Sequence, residues 1–252
     1  MDDKSPDLLR FVVDNNLREL QNYPQAKQLH ITGLKQKDLP YFVDNFADNY
    51  DYIFFNGCST LSDLSQLSQL RNVKYISFSW NTKATSLWDM SNNSALEGLY
   101  IDDMSKLHEL SDLKTGTMLR ELHISGGMWK NAKIDSLAPI GKLHRLQGLS
   151  LQLLKVLDND VTPLLKLTSL RTLSLDENMF EMAAYAELAV KLPHTSCECF
   201  KGYIVEASND GKDIRIVGKN KPRLHPNEQK DTLAKYLHEF NALVSAQRSG
   251  GI

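Results

Sequence analysis

The amino-acid sequence predicts an α/β solenoid: a curved parallel sheet on the concave face and short helical or 3-10 turns on the convex face. Three features predict it. First, a triplet of apolar, any and apolar residue recurs seven times, as Leu29-His30-Ile31, Ile53-Phe54-Phe55, Ile76-Ser77-Phe78, Leu99-Tyr100-Ile101, Leu122-His123-Ile124, Leu149-Ser150-Leu151 and Leu173-Ser174-Leu175. Second, the last residues of successive triplets lie 24, 23, 23, 23, 27 and 24 positions apart, within the range of about 20–29 residues of strand-and-turn repeats. Third, leucines between triplets fall every third residue, as in Leu61-Ser62-Asp63-Leu64-Ser65-Gln66-Leu67, which is the rhythm of 3-10 or short helical turns. An alternating triplet sends two side chains inward and one outward. One such strand cannot bury its apolar face alone, so stacking in parallel is what completes a core.

The chain divides into three parts. Residues 1–24 read as a helical N-terminal cap: Ser5 suits the N-cap, Pro6 the first helical position and Asp7 the helix dipole. Leu8, Phe11, Val12 and Leu20 would face the first repeat. Residues 25–192 hold about seven repeats, with a further helix expected over 38–48 before the strand at 52–56. After residue 192 the leucine period stops. Cys197 to Glu206 reads as extended, Asn209-Asp210-Gly211 as a turn and Ile214 to Val217 as a second strand. From Pro226, Leu233, Tyr236, Leu237, Phe240 and Val244 share one helical face. Residues 193–252 are therefore expected to be a strand-plus-helix cap or a small module of their own.

Leu170-Arg171-Thr172-Leu173-Ser174-Leu175-Asp176-Glu177-Asn178-Met179-Phe180 matches the pattern L-x-x-L-x-L-x-x-N/C-x-L. On these residues the chain resembles the leucine-rich repeat family over about residues 25–192. Ile134 to Ile140 and Val161 to Leu164 look like the return arms of internalin-type repeats of about 23 residues, and the resemblance implies a bacterial origin. The Asn/Cys slot departs from the family pattern. Cys58, Asn81 and Asn178 can bond the turn backbone there, whereas Leu34, Met104, Gly127 and Leu154 cannot. Irregular turns are expected near 104, 127 and 154, with an outward bulge at Gly126-Gly127-Met128-Trp129-Lys130 in the longest step.

Charge and composition narrow the function. Lysine and arginine total 29 against 31 aspartates and glutamates, a net charge of -2. Nucleic-acid binding ordinarily needs a large positive excess, so no nucleic-acid partner is expected. No apolar run approaches the ~20 residues that span a bilayer, and Met1 to Pro6 shows no secretory signal pattern. Three cysteines are not a disulfide framework. A cytoplasmic protein without membrane contact is the expectation.

The resemblance implies non-catalytic protein–protein interaction, as in a scaffold, with no cofactor, metal or catalytic residue. The outward strand positions support it. Tyr52, Phe54, Asn56, Tyr75, Ser77, Trp80, Tyr100, Asp102, Glu121, His123 and Asp176 are the candidate partner-binding residues. They form an aromatic and acidic surface suited to a basic or amphipathic protein or peptide. Two other readings stand beside this one: a secreted or surface adhesin-like repeat protein, and a recognition domain of an enzyme with activity in residues 193–248. Cys197-x-Cys199 has the wrong spacing for a C-x-x-C site and is expected to be structural. The basic run from Lys212 to Arg223 is expected to be the solvated face of a cap hairpin.

Overall fold

The computed structural model describes residues 7–13, 16–127 and 131–249. Ten strands lie before residue 176: β1 (Leu8–Val12), β2 (Gln28–Thr32), β3 (Tyr52–Asn56), β4 (Tyr75–Ser79), β5 (Gly98–Asp102), β6 (Glu121–Ser125), β7 (Ala132–Ile134), β8 (Gly148–Gln152), β9 (Leu154–Val156) and β10 (Thr172–Leu175). Eight of them form one parallel sheet in the order β1-β2-β3-β4-β5-β6-β8-β10. All seven predicted triplets are in it and in register: Leu29 pairs with Ile53, Ile53 with Ile76, Ile76 with Leu99, Leu99 with Leu122, Leu122 with Leu149 and Leu149 with Leu173. Their inward side chains are buried, and the rings of Phe55 and Phe78 stack at 5.0 Å. Each fully buried Leu, Ile or Phe contributes about 1.5–3 kcal/mol, so the inward pair is the main stabilising element of every repeat.

The convex side returns the chain through helix α1 (Leu39–Asn45) and 3-10 turns at Ser65–Gln69, Ser111–Thr115, Ile140–Lys142 and Leu164–Lys166. Leu61, Leu64 and Leu67 are buried beneath them, as their spacing predicts. Pro139 and Pro163 open two of these turns with helical backbone angles. Asn93 is buried between repeats. Its Nδ2 donates to the carbonyls of Leu67 and Leu70 at 2.8 and 2.7 Å, and its Oδ1 accepts from Trp88 Nε1 at 2.8 Å.

The N-terminal expectation is corrected. Ser5 and Pro6 lie outside the described residues, and Leu8–Val12 is a strand, with helical turn confined to Leu17–Asn22. Phe11 points inward against the core while Arg10 and Val12 are exposed. The reason is pairing: β2 would otherwise carry an open row of backbone donors and acceptors. β1 satisfies that row, with Leu9 opposite Leu29 and Phe11 opposite Ile31. Alternation matched to a waiting edge outweighs a capping signal in a segment too short to hold a helix alone.

The Asn/Cys slot behaves as expected at Cys58 and Asn81, which are buried. Asn81 Oδ1 accepts from the backbone of Lys83 and Ala84. Asn178 is instead exposed. Tyr185, on helix α2 (Met182–Lys191), takes over the turn. Its hydroxyl accepts from Met179 N and Phe180 N at 3.1 and 3.3 Å and donates to the Asp176 carbonyl. Leu34, Met104 and Leu154 fill their slots by burial. β7, in the longest step, pairs with β9, in the step after it, as a separate two-stranded parallel ribbon. Gly126 is needed beside it, because an added Cβ would lie 2.1 Å from the Leu153 carbonyl. Of the expected bulge, residues 128–130 lie outside the described residues.

Beyond α2 the solenoid takes one more partial step. Ser196 bridges Thr172 in parallel, and Cys199 Sγ donates to the Leu175 carbonyl at 3.3 Å. A 3-10 helix (Glu198–Lys201) replaces the expected extended segment and ends the ladder there. An antiparallel sheet of β11 (Tyr203–Val205), β12 (Ile214–Ile216) and β13 (Arg223–Leu224) follows, then helix α3 (Lys230–Ser249), which packs on α2. Cys199, Ile214, Ile216, Val217, Leu224 and Phe240 belong to the same buried cluster as the repeats.

Two stability outcomes follow. Leu122→Ala, at a site 2% exposed, is expected to cost about 2–5 kcal/mol in urea unfolding; a neutral result would refute the register. Tyr185→Phe is expected to cost about 1–3 kcal/mol, since it orphans the groups its hydroxyl satisfies, while Asn178→Ala changes stability by less than about 0.5 kcal/mol. Equal effects of the last two would mean that Tyr185 does not hold the turn.

Candidate partner-binding face

The register places the outward residues in three rows across the concave face. One row runs Gln28, Tyr52, Tyr75, Gly98, Glu121, Gly148 and Thr172; the middle row His30, Phe54, Ser77, Tyr100, His123, Ser150 and Ser174. The third includes Asn56, Ser79, Asp102 and Ser125. Nine of the predicted residues are thereby brought together on neighbouring strands: Tyr52, Phe54, Asn56, Tyr75, Ser77, Tyr100, Asp102, Glu121 and His123. Asp176 lies two strands beyond Glu121, just past β10. Trp80 lies one residue past the end of its strand, β4. It is 59% exposed, with φ of 57°.

The aromatic side chains are half-buried. The Tyr75 ring lies over Gly98, where an added Cβ would come within 2.4 Å of it. Glycine there is what lets the tyrosine lie flat toward Tyr100. The Tyr100 hydroxyl donates to Glu121, and Ser79 Oγ donates to Asp102 at 3.2 Å. His30 meets Phe54 edge to face at 5.0 Å. Burial pushes the Tyr52 and Tyr75 hydroxyls up, and Tyr100 is raised by burial and by the carboxylate of Glu121. All three remain neutral hydrogen-bonding tips at physiological pH.

The C-terminal half of the face has a different relief. Its floor is Gly148, Ser150, Thr172 and Ser174, and over this floor opens a trough of about 1030 Å³. Tyr100 and His123 border it on one side. On the other, the C-terminal segment supplies a wall that includes Cys197, Glu198, Glu206 and Arg215. Asp176 accepts from Leu153 N at 2.6 Å, and burial raises its pKa. Arg215 reaches Glu177 at 3.4 Å and Glu206 at 3.0 Å.

Glu198, Glu206 and Arg215 were not legible from the repeat pattern, which stops at Leu175. One signal could have found the first. Cys197 and Cys199 stand 24 residues after Leu173 and Leu175, so they hold the inward positions of one further step, and Glu198 between them continues the middle row. Cys199 is buried and Cys197 partly so, packed on the core. The basic run is mostly engaged: Lys221 pairs with Glu239 at 3.0 Å and lies over the Tyr236 ring, and Arg223 pairs with Asp210 at 3.0 Å. Among the described residues no group of three or more His, Cys, Asp or Glu side chains is placed to hold a metal ion.

A parallel sheet of constant register, one strand per repeat of about 23 residues, with short turns behind it, is the leucine-rich repeat fold. The chain is a leucine-rich repeat protein in architecture. Among solved structures it is similar to an internalin C2 from Listeria monocytogenes, with a TM-score of 0.50 and 18% identity over 71% of this chain and 72% of that one. It is also similar to a leucine-rich repeat protein of Leptospira interrogans, with a TM-score of 0.53 and 17% identity over 75% of this chain. The alignment spans about half of that protein, 52%. No protein-family model and no curated protein matches the sequence.

The half-buried imidazole of His123 has a pH signature. Burial holds His123 below the ordinary value of 6.5, against the pull of Asp102. The unfolded chain therefore binds a proton more readily. The contribution of His123 to stability is whole above about pH 6.5 and is lost as pH falls through that value toward the folded one. His123→Asn is expected to lose less stability than the wild type between about pH 7 and pH 5, read from urea midpoints. Parallel losses in both proteins would mean that the imidazole is not desolvated.

Proposed function

We propose that this chain is a non-catalytic protein–protein interaction module that holds a protein or peptide on its concave face. One observation carries the reading: a continuous outward sheet face bears half-exposed aromatic side chains with polar tips beside an open trough. Tyr52, Phe54, Tyr75 and Tyr100 bring large contact area at a small entropic cost, since each has few rotatable bonds. They are held by the sheet before any partner arrives, which reduces the ordering cost of association. Asp102, Glu121 and Asp176 favour a basic or amphipathic partner. The similar solved structures are repeat proteins, and a protein partner accords with that architecture.

The proposed setting is a cytoplasmic one, with a scaffold-like role. Cys58, Cys197 and Cys199 are free thiols, as suits a reducing compartment. Among the described residues no helix is long and apolar enough to cross a membrane.

The test is affinity capture from a native lysate with wild type and the Tyr75→Ala/Tyr100→Ala double variant, compared by mass spectrometry. A partner retained by wild type and lost by the variant, with both proteins melting alike, is the expected result. Equal capture by both would move the binding surface to the convex side or to the ends of the solenoid.

A further inference from the structure

We infer that the C-terminal half of the concave face seats an extended, lysine- or arginine-bearing segment of the partner. This rests on the concave-face reading above and names the chemistry that the face takes. The sequence draws attention to the aromatic half, but the open volume lies elsewhere. Large side chains occupy the N-terminal half, Tyr75 lying across Gly98. In the other half Gly148, Ser150 and Ser174 leave the sheet backbone low, and the trough of about 1030 Å³ results.

Its length is set by the ladder. It runs from Tyr100 on β5 across β6, β8 and β10 to Ser196, four strand spacings or about 19 Å. About six extended residues at ~3.3 Å each cover that distance. The outward positions of the floor are Gly148, Ser150, Thr172 and Ser174, with no large apolar side chain among them to grip the face of a helix.

Charge decides the sign of the occupant. Five carboxylates line the trough, from Glu121 to Glu206, against the guanidiniums of Arg171 and Arg215. That local excess is larger than the net charge of -2 carried by the whole chain, so the remainder of the molecule is close to neutral. Arg215 is itself tied to Glu177 and Glu206. A concave wall of low dielectric concentrates such a field. Glu198 is exposed at the wall and available to an incoming cation, and Glu206 is exposed beside it but shared with Arg215. The serine hydroxyls of the floor can accept from the cation, and Tyr100 at the border offers a ring face. An acidic segment meets a net repulsion of five carboxylates against two guanidiniums.

The test uses the full chain and fluorescence anisotropy of labelled hexa-arginine, with hexa-glutamate and a Gly-Ser hexapeptide as comparators. Hexa-arginine is expected to bind and the comparators not. Glu198→Gln/Glu206→Gln removes wall charge, and Ser174→Trp fills the floor; each is expected to weaken hexa-arginine about tenfold or more. Asp44→Asn/Glu228→Gln changes the net charge equally at exposed sites away from the trough and is expected to stay within about twofold. Equal weakening by that control pair, no weakening by either trough variant, or equal binding of hexa-glutamate would overturn the inference. The two readings fail differently. If the protein captured through Tyr75 and Tyr100 still binds both trough variants at full strength, the concave-face reading stands and the cationic segment falls. If neither the tyrosine pair nor the trough variants alter any binding, both fall.

Discussion

Everything in this molecule depends on one constraint, the parallel backbone ladder that holds an inward apolar pair in each strand directly over the pair before it. A slip of one residue in any strand would turn its two buried side chains to solvent and its outward side chain into the core. The register is unbroken from β1 to β10. Stacked pairs such as Phe55 on Phe78 make each repeat the lid of the one before. The ends of such a stack are its weak points. β1 closes one of them by pairing, and the cap from α2 to α3 closes the other by packing.

The same constraint makes the outer surface legible and rigid. Because the inward positions are fixed, the outward rows are fixed with them, and the chemistry of the concave face is decided by side-chain size at those rows. Glycine at 98 lets a tyrosine lie down; glycine and serine at 148, 150 and 174 leave a trough. The ladder also imposes conformations that single residues resist. Trp80, Asp103 and Leu153 each follow a strand with positive φ, a conformation costing of order 1–3 kcal/mol for bulky residues. The surrounding hydrogen bonds hold them there, Trp80 N to the Asp102 carbonyl at 3.2 Å and Leu153 N to Asp176 at 2.6 Å.

The strands and the convex turns could be read from spacing because each depends on its own few residues and on a neighbour of the same pattern. The first aromatic rows of the concave face follow from that spacing directly. Three things did not. Residues 8–12 carry a pattern compatible with strand or helix, and the open edge of β2 selected strand. Asn178 fits the family slot, yet the chain leaves the ladder there, and the Tyr185 hydroxyl arriving from α2 satisfies the turn instead. The trough joins repeats to cap residues such as Arg215, some 40 positions beyond the last triplet, and no local pattern links them.

The amino-acid sequence by itself determined the fold class, the register and the identity of every outward residue on the seven predicted strands. It could do so because a repeat is specified by contacts between equivalent positions, and those recur at a visible period. The tertiary structure alone decided how the ends are sealed and where the concave face is open. Those outcomes depend on which unlike segments meet, the edge of β2 with β1 and the last repeat with the cap, and a meeting of unlike segments leaves no period to read.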